Sequence, residues 1–158
     1  MDNKRLKISL LFFASVLFLF SGCSWQEYFV VSNESTSDIT LEYEIESPEN
    51  GFPIFESHPS VYQLDASGTI NWNEKLAVAD GNMLPQIIQL VLPPKSAIII
   101  GNLSNDHYEK QDQYFINGRK FNLKNMKIVT KNKIIEISPE NFDTYFKKKN
   151  GFIIFKTK

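Results

Sequence analysis

The chain has 158 residues, a formal net charge of −1, 42% hydrophobic residues and a single cysteine. That length bounds it to one domain with a sizeable core, and a lone cysteine leaves no disulfide to staple it, so apolar burial must hold the fold. With no aromatic-basic RNA-binding motif and no excess of positive charge, nucleic acid is not an expected partner. The charge is nevertheless divided: residues 23–118 hold 14 acidic and 3 basic residues, and residues 119–158 hold 11 basic and 3 acidic ones. Two readings follow. The halves neutralise each other inside one fold, or the second half presents a basic face to an anionic partner such as a lipid head group, a glycan or an acidic protein.

Lys4, Arg5 and Lys7 precede an apolar run of Leu6 and residues 8–20, interrupted only by Ser9 and Ser15. That run is short for a spanning helix, which needs about 20 apolar residues. Its three-part layout is that of a secretory signal. The run closes on Phe20-Ser21-Gly22-Cys23. This motif resembles the lipobox of bacterial lipoproteins, although Phe20 stands where the pattern usually has Leu. The resemblance implies cleavage before Cys23, acylation of that cysteine, and Cys23 as the first mature residue. An acylated cysteine also removes the liability of a free thiol in an oxidising compartment. Two acyl signals are what stable anchoring requires. Ser24 rather than Asp follows the cysteine, which by the best-known sorting rule implies the outer membrane. The expected organisation is a signal peptide over residues 1–22, a tether over residues 23–27 and one domain over residues 28–158.

Trp25 either rests at the membrane interface, where Trp is favoured, or packs on the domain. Residues 28–32 read as a first strand and residues 38–46 as a second. In the latter, Ile39, Leu41, Tyr43 and Ile45 alternate with Thr40, Glu42, Glu44 and Glu46, the period of a half-buried strand with an acidic outer face. The two are expected to form an opening hairpin around the polar turn at residues 33–37. Pro48, Gly51, Pro53 and Pro59 mark residues 47–59 as loop. Residues 61–64 and 69–73 read as short strands. The second contains Asn71-Trp72-Asn73-Glu74, where Trp72 has two candidate roles: a core anchor, or a surface ring that stacks on a sugar. Residues 77–82 are small and turn-like.

Residues 86–92 and 97–103 read as strands, the latter apolar enough to be buried on both faces. Pro93-Pro94-Lys95 between them resembles the turn before the penultimate strands of many immunoglobulin-like domains. Residues 105–113 are polar and contain His107. Asn117-Gly118 between residues 114–116 and 120–121 predicts a hairpin, since both turn positions favour positive φ. Residues 126–130 and 133–137 predict another, around Lys131-Asn132. Ser138-Pro139-Glu140 predicts the start of a helix, with Phe142, Tyr145 and Phe146 on one face and Lys147, Lys148 and Lys149 at its C-terminal end. The full capping box is not expected, because Asn141 occupies the Glu or Gln position. Asn150-Gly151 is expected to stop the helix, and residues 152–155 form the last strand.

Many short strands and one short C-terminal helix predict a mainly β fold, an immunoglobulin-like or transthyretin-like β-sandwich. Chemistry is sparse. His58 and His107 lack metal-ligand spacing, no nucleophile elbow or Ser-x-x-Lys motif occurs, and no phosphate loop occurs. No metal and no cofactor is expected. A carboxylate pair assembled by folding is the one route to an enzyme. The leading expectation is a non-catalytic outer-membrane lipoprotein that binds an envelope protein as adaptor or structural subunit, with Lys147, Lys148 and Lys149 as the candidate basic face. The alternative is a glycan-binding module built on Trp72.

Overall fold

A computed structural model of the chain describes residues 24–77 and 86–157. Cys23, the leader and most of the turn expected over residues 77–82 lie outside the described residues. The strands are β1 (Gln26–Asn33), β2 (Ile39–Ile45), β3 (Phe52–Pro53), β4 (Phe55–Leu64), β5 (Ile70–Leu76), β6 (Ile87–Leu92), β7 (Ser96–Ser104), β8 (Arg119–Lys120), β9 (Leu123–Val129), β10 (Ile134–Ile137), β11 (Lys147–Lys149) and β12 (Phe152–Thr157). A 3-10 turn (Pro139–Asn141) leads into one helical turn, α1 (Phe142–Tyr145). The fold is a mainly β sandwich. A six-stranded sheet ordered β11-β12-β1-β7-β4-β5 faces a four-stranded sheet ordered β10-β9-β2-β6, and β3 and β8 form a small parallel pair.

The alternation along β2 does what period two requires. Ile39, Leu41, Tyr43 and Ile45 are buried, and the residues between them are half exposed. They meet Phe29, Val31, Phe55, Ile98 and Ile100 of the six-stranded sheet in one core. Phe142 of α1 is fully buried in that core, with its ring 6.1 Å from Phe29, 6.0 Å from Phe55, 5.0 Å from Phe121 and 4.1 Å from Phe146.

The opening hairpin is not formed. β1 pairs with β7 and, in parallel, with β12, whereas β2 pairs with β6 and β9 in the other sheet. The crossing between sheets is pinned by Asn33, fully buried, whose amide donates to the carbonyls of Ser37, Leu92 and Pro93 and accepts from the Ser35 and Thr157 hydroxyls. Pro93-Pro94-Lys95 likewise carries the chain from β6 to β7 across the sandwich, with Lys95 at φ 55.

The expected loop at residues 47–59 is partly strand. β4 runs through Pro59 because its register with β7 breaks between Phe55 and Ser60, so no ladder bond needs the missing proline N–H. The loop that remains is tied down by Asn122, which is 5% exposed. Its amide oxygen accepts from the N–H groups of Ile54 and Phe55, and its nitrogen donates to the carbonyls of Glu46 and Phe55.

Two of the Asn-Gly pairs, Asn117-Gly118 and Asn150-Gly151, exchange roles. At Asn150-Gly151 both residues have positive φ (51 and 78), and Lys149 pairs with Phe152, which makes a two-residue hairpin between β11 and β12 instead of a helix stop. At Asn117-Gly118 only Gly118 has positive φ (66), and the expected hairpin is absent: β8 pairs in parallel with β3. The predicted helix is therefore shorter than expected. Phe146 is already extended (φ −88, ψ 135), and the three lysines form an edge strand. Asn141 substitutes for the missing Glu or Gln of the capping box, accepting from the Ser138 N–H at 2.8 Å. The hairpin expected from β9 to β10 is formed.

Candidate binding face

The sandwich has a second apolar cluster outside its core. Along β1, Phe29 and Val31 enter the core, while Tyr28 and Val30 point to the outer side of the six-stranded sheet. There Val30, Leu64, Ile70 and Ala97 are buried beneath Tyr28, Tyr62, Ile99, Phe152 and Ile154.

One more ring, Trp72, reaches this cover from a break in the β4–β5 ladder. Leu64 pairs with Ile70 and Tyr62 pairs with Lys75, so Asn71, Trp72, Asn73 and Glu74 face only Gln63 and arch out of the ladder. The arch is held by its own bonds: Asn71 Oδ1 accepts from the Asn73 N–H at 3.2 Å, and Asn71 Nδ2 donates to Glu74 Oε2 at 3.2 Å. The turn before it is held by Asp65, whose Oδ1 accepts from the Ser67 hydroxyl at 2.6 Å and from the Ser67 and Thr69 N–H groups. Those bonds, the Ser67 hydroxyl foremost, hold the Asp65 carboxyl below its usual range.

The arch lays the Trp72 indole across three rings. Its centroid lies 5.2 Å from Tyr28, 5.4 Å from Tyr62 and 6.4 Å from Phe152. Even so, Trp72 remains 46% exposed. Of the two roles the sequence left open, the core anchor is not the one Trp72 fills. A groove of about 290 Å³ borders this face, lined by Lys149, Phe152, Ile154, Lys156, Thr69 and Ile70 among others.

The three lysines do not form one face. Lys147 and Lys149 stand opposite Ile154 and Phe152, and so share the outer side of the sheet. Lys148 stands opposite Ile153 of the core and turns the other way. Its ammonium lies 2.7 Å from Glu27 Oε1 and donates to the Tyr108 carbonyl at 2.8 Å. Lys147 donates to the Asp143 carbonyl at 2.7 Å. The acidic first half and basic second half meet directly: Lys124 with Glu44, Lys148 with Glu27, and Lys156 with Glu34. Mutual neutralisation thus takes up three of the eleven basic residues of the second half.

Glu27 is a residue the sequence reading passed over. Period two puts it on the side of Phe29 and Val31, so a carboxylate there must find partners, and that was the available signal. It is 4% exposed and lies 2.8 Å from His107 Nδ1, with the Tyr108 N–H donating to Oε2 at 2.8 Å. Burial pushes its pKa up, but hydrogen bonds from His107, Lys148 and the Tyr108 N–H outweigh that and hold it below the usual carboxylate range. Trp25 stacks on His107, with centroids 5.0 Å apart and planes at 17°, and its indole N–H donates to the Asp106 carbonyl. With Gln26 and Glu27 already in β1, the sandwich takes in the last two residues of the tether expected over residues 23–27. His58 is a surface residue, 2.9 Å from the Ser57 hydroxyl.

Among the described residues, no group of three or more His, Cys, Asp or Glu side chains is arranged to hold a metal ion. What the outer face offers is a half-exposed ring on an apolar bed with a lysine rim, an arrangement for non-covalent contact. No protein-family model matches the chain, and no curated protein or solved structure is significantly similar to it.

Proposed function

We propose that this chain is a non-catalytic lipoprotein of the Gram-negative envelope, anchored in the outer membrane through acylated Cys23, that acts as an adaptor or structural subunit. It binds a protein partner on the aromatic outer face of the six-stranded sheet. The observation that carries this reading is Trp72, held half exposed over a second apolar cluster by an arch that the ladder itself does not need. Tryptophan is enriched among the residues that dominate protein interfaces, and an apolar patch with a polar rim is the usual form of such a site. The leader and Phe20-Ser21-Gly22-Cys23 support the anchor. Lys149 remains as a rim charge, whereas Lys148 is committed to Glu27 and Lys156 to Glu34.

A second reading, a surface glycan as ligand, is favoured by one feature: the exposed ring is carried between two asparagines and a glutamate, groups suited to sugar hydroxyls. In-cell cross-linking of the tagged protein, with mass spectrometry of what co-purifies, separates the two. The adaptor reading expects one or two envelope proteins in stoichiometric amount, lost with Trp72→Ala and reduced with the unanchored Cys23→Ala. No protein partner, together with Trp72-dependent glycan binding, would replace it with the second reading.

A further inference from the structure

The two ends of the sandwich differ in kind. At the end where β1 finishes, the loop carries Glu34, Ser35, Thr36, Ser37 and Asp38 and faces Lys131 and Asn132. At the end where β1 starts, large apolar side chains stand out into solvent among polar ones. The three most exposed large apolar side chains among the described residues, Tyr114 (84%), Ile116 (74%) and Phe52 (64%), all lie there. Trp25, 43% exposed, lies beside them.

A continuous set of hydrogen bonds places these four side chains on one end. The Trp25 N–H donates to Asn105 Oδ1, and the Asn105 N–H donates to the Trp25 carbonyl. Trp25 Nε1 donates to the carbonyl of Asp106, and the carboxylate of Asp106 accepts from the Ile116 N–H at 2.8 Å. Asn117 donates to the carbonyls of Ser104 and Asn105, and the Gly118 carbonyl accepts from the Phe52 N–H at 2.9 Å. The loop that carries Tyr114 and Ile116 is thus fixed to Trp25, just before β1. Asp106, 5% exposed, accepts from both the His107 and Ile116 N–H groups and so fixes the backbone that holds Ile116 out in solvent.

We infer that this end of the domain is a membrane-docking surface, on which Trp25, Phe52, Tyr114 and Ile116 rest in the head-group region of a phospholipid bilayer. The occupant follows from where the chain goes. The described residues start at Ser24, one residue after Cys23, so a lipid on that cysteine would bring the bilayer to this end and no other. Aromatic side chains are favoured at the level of the head groups. Docking there would orient the β-sandwich so that its polar end points away from the membrane and its Trp72 face stands upright beside it. The inference rests on the proposed anchor, and its test separates the two.

The full chain is purified from membranes and placed in vesicles of phosphatidylcholine brominated along its acyl chains. Trp72→Phe leaves Trp25 as the one tryptophan of the two in the sequence. Mass spectrometry of the N-terminal peptide reports acylation of Cys23 separately. The expected result is an acylated chain whose Trp25 emission falls at least about two-fold, with an environment-sensitive dye on Ile116→Cys shifting to the blue. Phe52→Ser, Tyr114→Ser and Ile116→Ser combined should abolish the quenching while near-ultraviolet circular dichroism is kept, since all three side chains are mostly in solvent. An acylated, vesicle-bound chain with unquenched Trp25 and a water-like dye would overturn docking and leave the anchor standing. An unacylated chain would overturn the anchor; quenching would then still support docking, and its absence would overturn both. Cross-links between two copies through position 116, in place of quenching, would assign the surface to a second copy and overturn the inference.

Discussion

The two sheets share a core but treat their outer sides differently. The outer side of the four-stranded sheet carries the ion pair of Glu44 on β2 with Lys124 on β9, with Glu42 opposite Lys127, and only scattered apolar side chains, Ile87, Val91 and Ile134, with no apolar layer buried beneath them. The six-stranded sheet repeats an apolar interior on its outer side and covers it only in part, with an arch of four residues from its own edge. Folding requires one buried face per sheet. The second apolar face is surplus to that requirement, which is why function is sought there and not on the sheet with the cleaner sequence pattern.

That difference can be broken from both sides. The largest effect is expected at Asn122, which serves four backbone groups in the interior and neither outer face. Asn122→Ala should lower stability by about 3 kcal/mol in a denaturant titration, because it strands buried donors and acceptors. Partner binding measured on the folded fraction should be unchanged. Glu27→Gln comes next, at about 2 kcal/mol near neutral pH, reduced from a fully buried pair because His107 and Lys148 reach solvent. Its signature is in the pH dependence. The folded carboxyl keeps its charge to lower pH than the unfolded one, so its contribution is complete above the ordinary carboxylate range and is lost as pH falls through the lowered folded value. Wild type should therefore lose stability on acidification more steeply than Glu27→Gln, and the two curves should converge at the acid end.

Trp72→Ala should behave in the opposite sense to Asn122→Ala. Half of the ring is already in water, so stability should fall by only about 1 kcal/mol. Binding should weaken by about thirty-fold, the loss typical of a central interface residue. A large stability loss with binding kept would return Trp72 to a structural role. The smallest effect is expected on the four-stranded sheet, where Lys124→Ala removes one exposed ion pair and should leave the unfolding midpoint and partner binding where they were.

Much of this fold is legible in the sequence where one face of a strand is polar. β2 and the β9–β10 hairpin are read correctly because alternation distinguishes inside from outside. β1 is found, but its partners are not, because a strand buried on both faces carries no mark of which sheet it joins. Asn117-Gly118 and Asn150-Gly151 are misassigned for a local reason. Phe142, Tyr145 and Phe146 do have helical spacing, yet the tight stacking of Phe146 on Phe142 comes with an extended backbone at Phe146, so Lys147–Lys149 pair with β12. The hairpin signal at Asn150-Gly151 was then hidden behind a plausible helix end. At Asn117 the side chain bonds back to Ser104 and Asn105, which suits a loop and leaves that residue out of the left-handed region. Trp72 is conspicuous in the sequence, but its exposure depends on a ladder break that no residue pattern announces. Glu27 was legible in principle, since a carboxylate on the inward side of a strand demands partners 80 and 121 positions away.

The most direct test of the aromatic face compares two positions in living cells. A photo-activatable amino acid is placed at position 72, and in a parallel strain at position 42 on the outer side of the four-stranded sheet. Adducts with the same envelope protein from position 72, and none from position 42, are the predicted result. Adducts from position 42 alone, or equally from both, would contradict the claim that the six-stranded sheet carries the binding face.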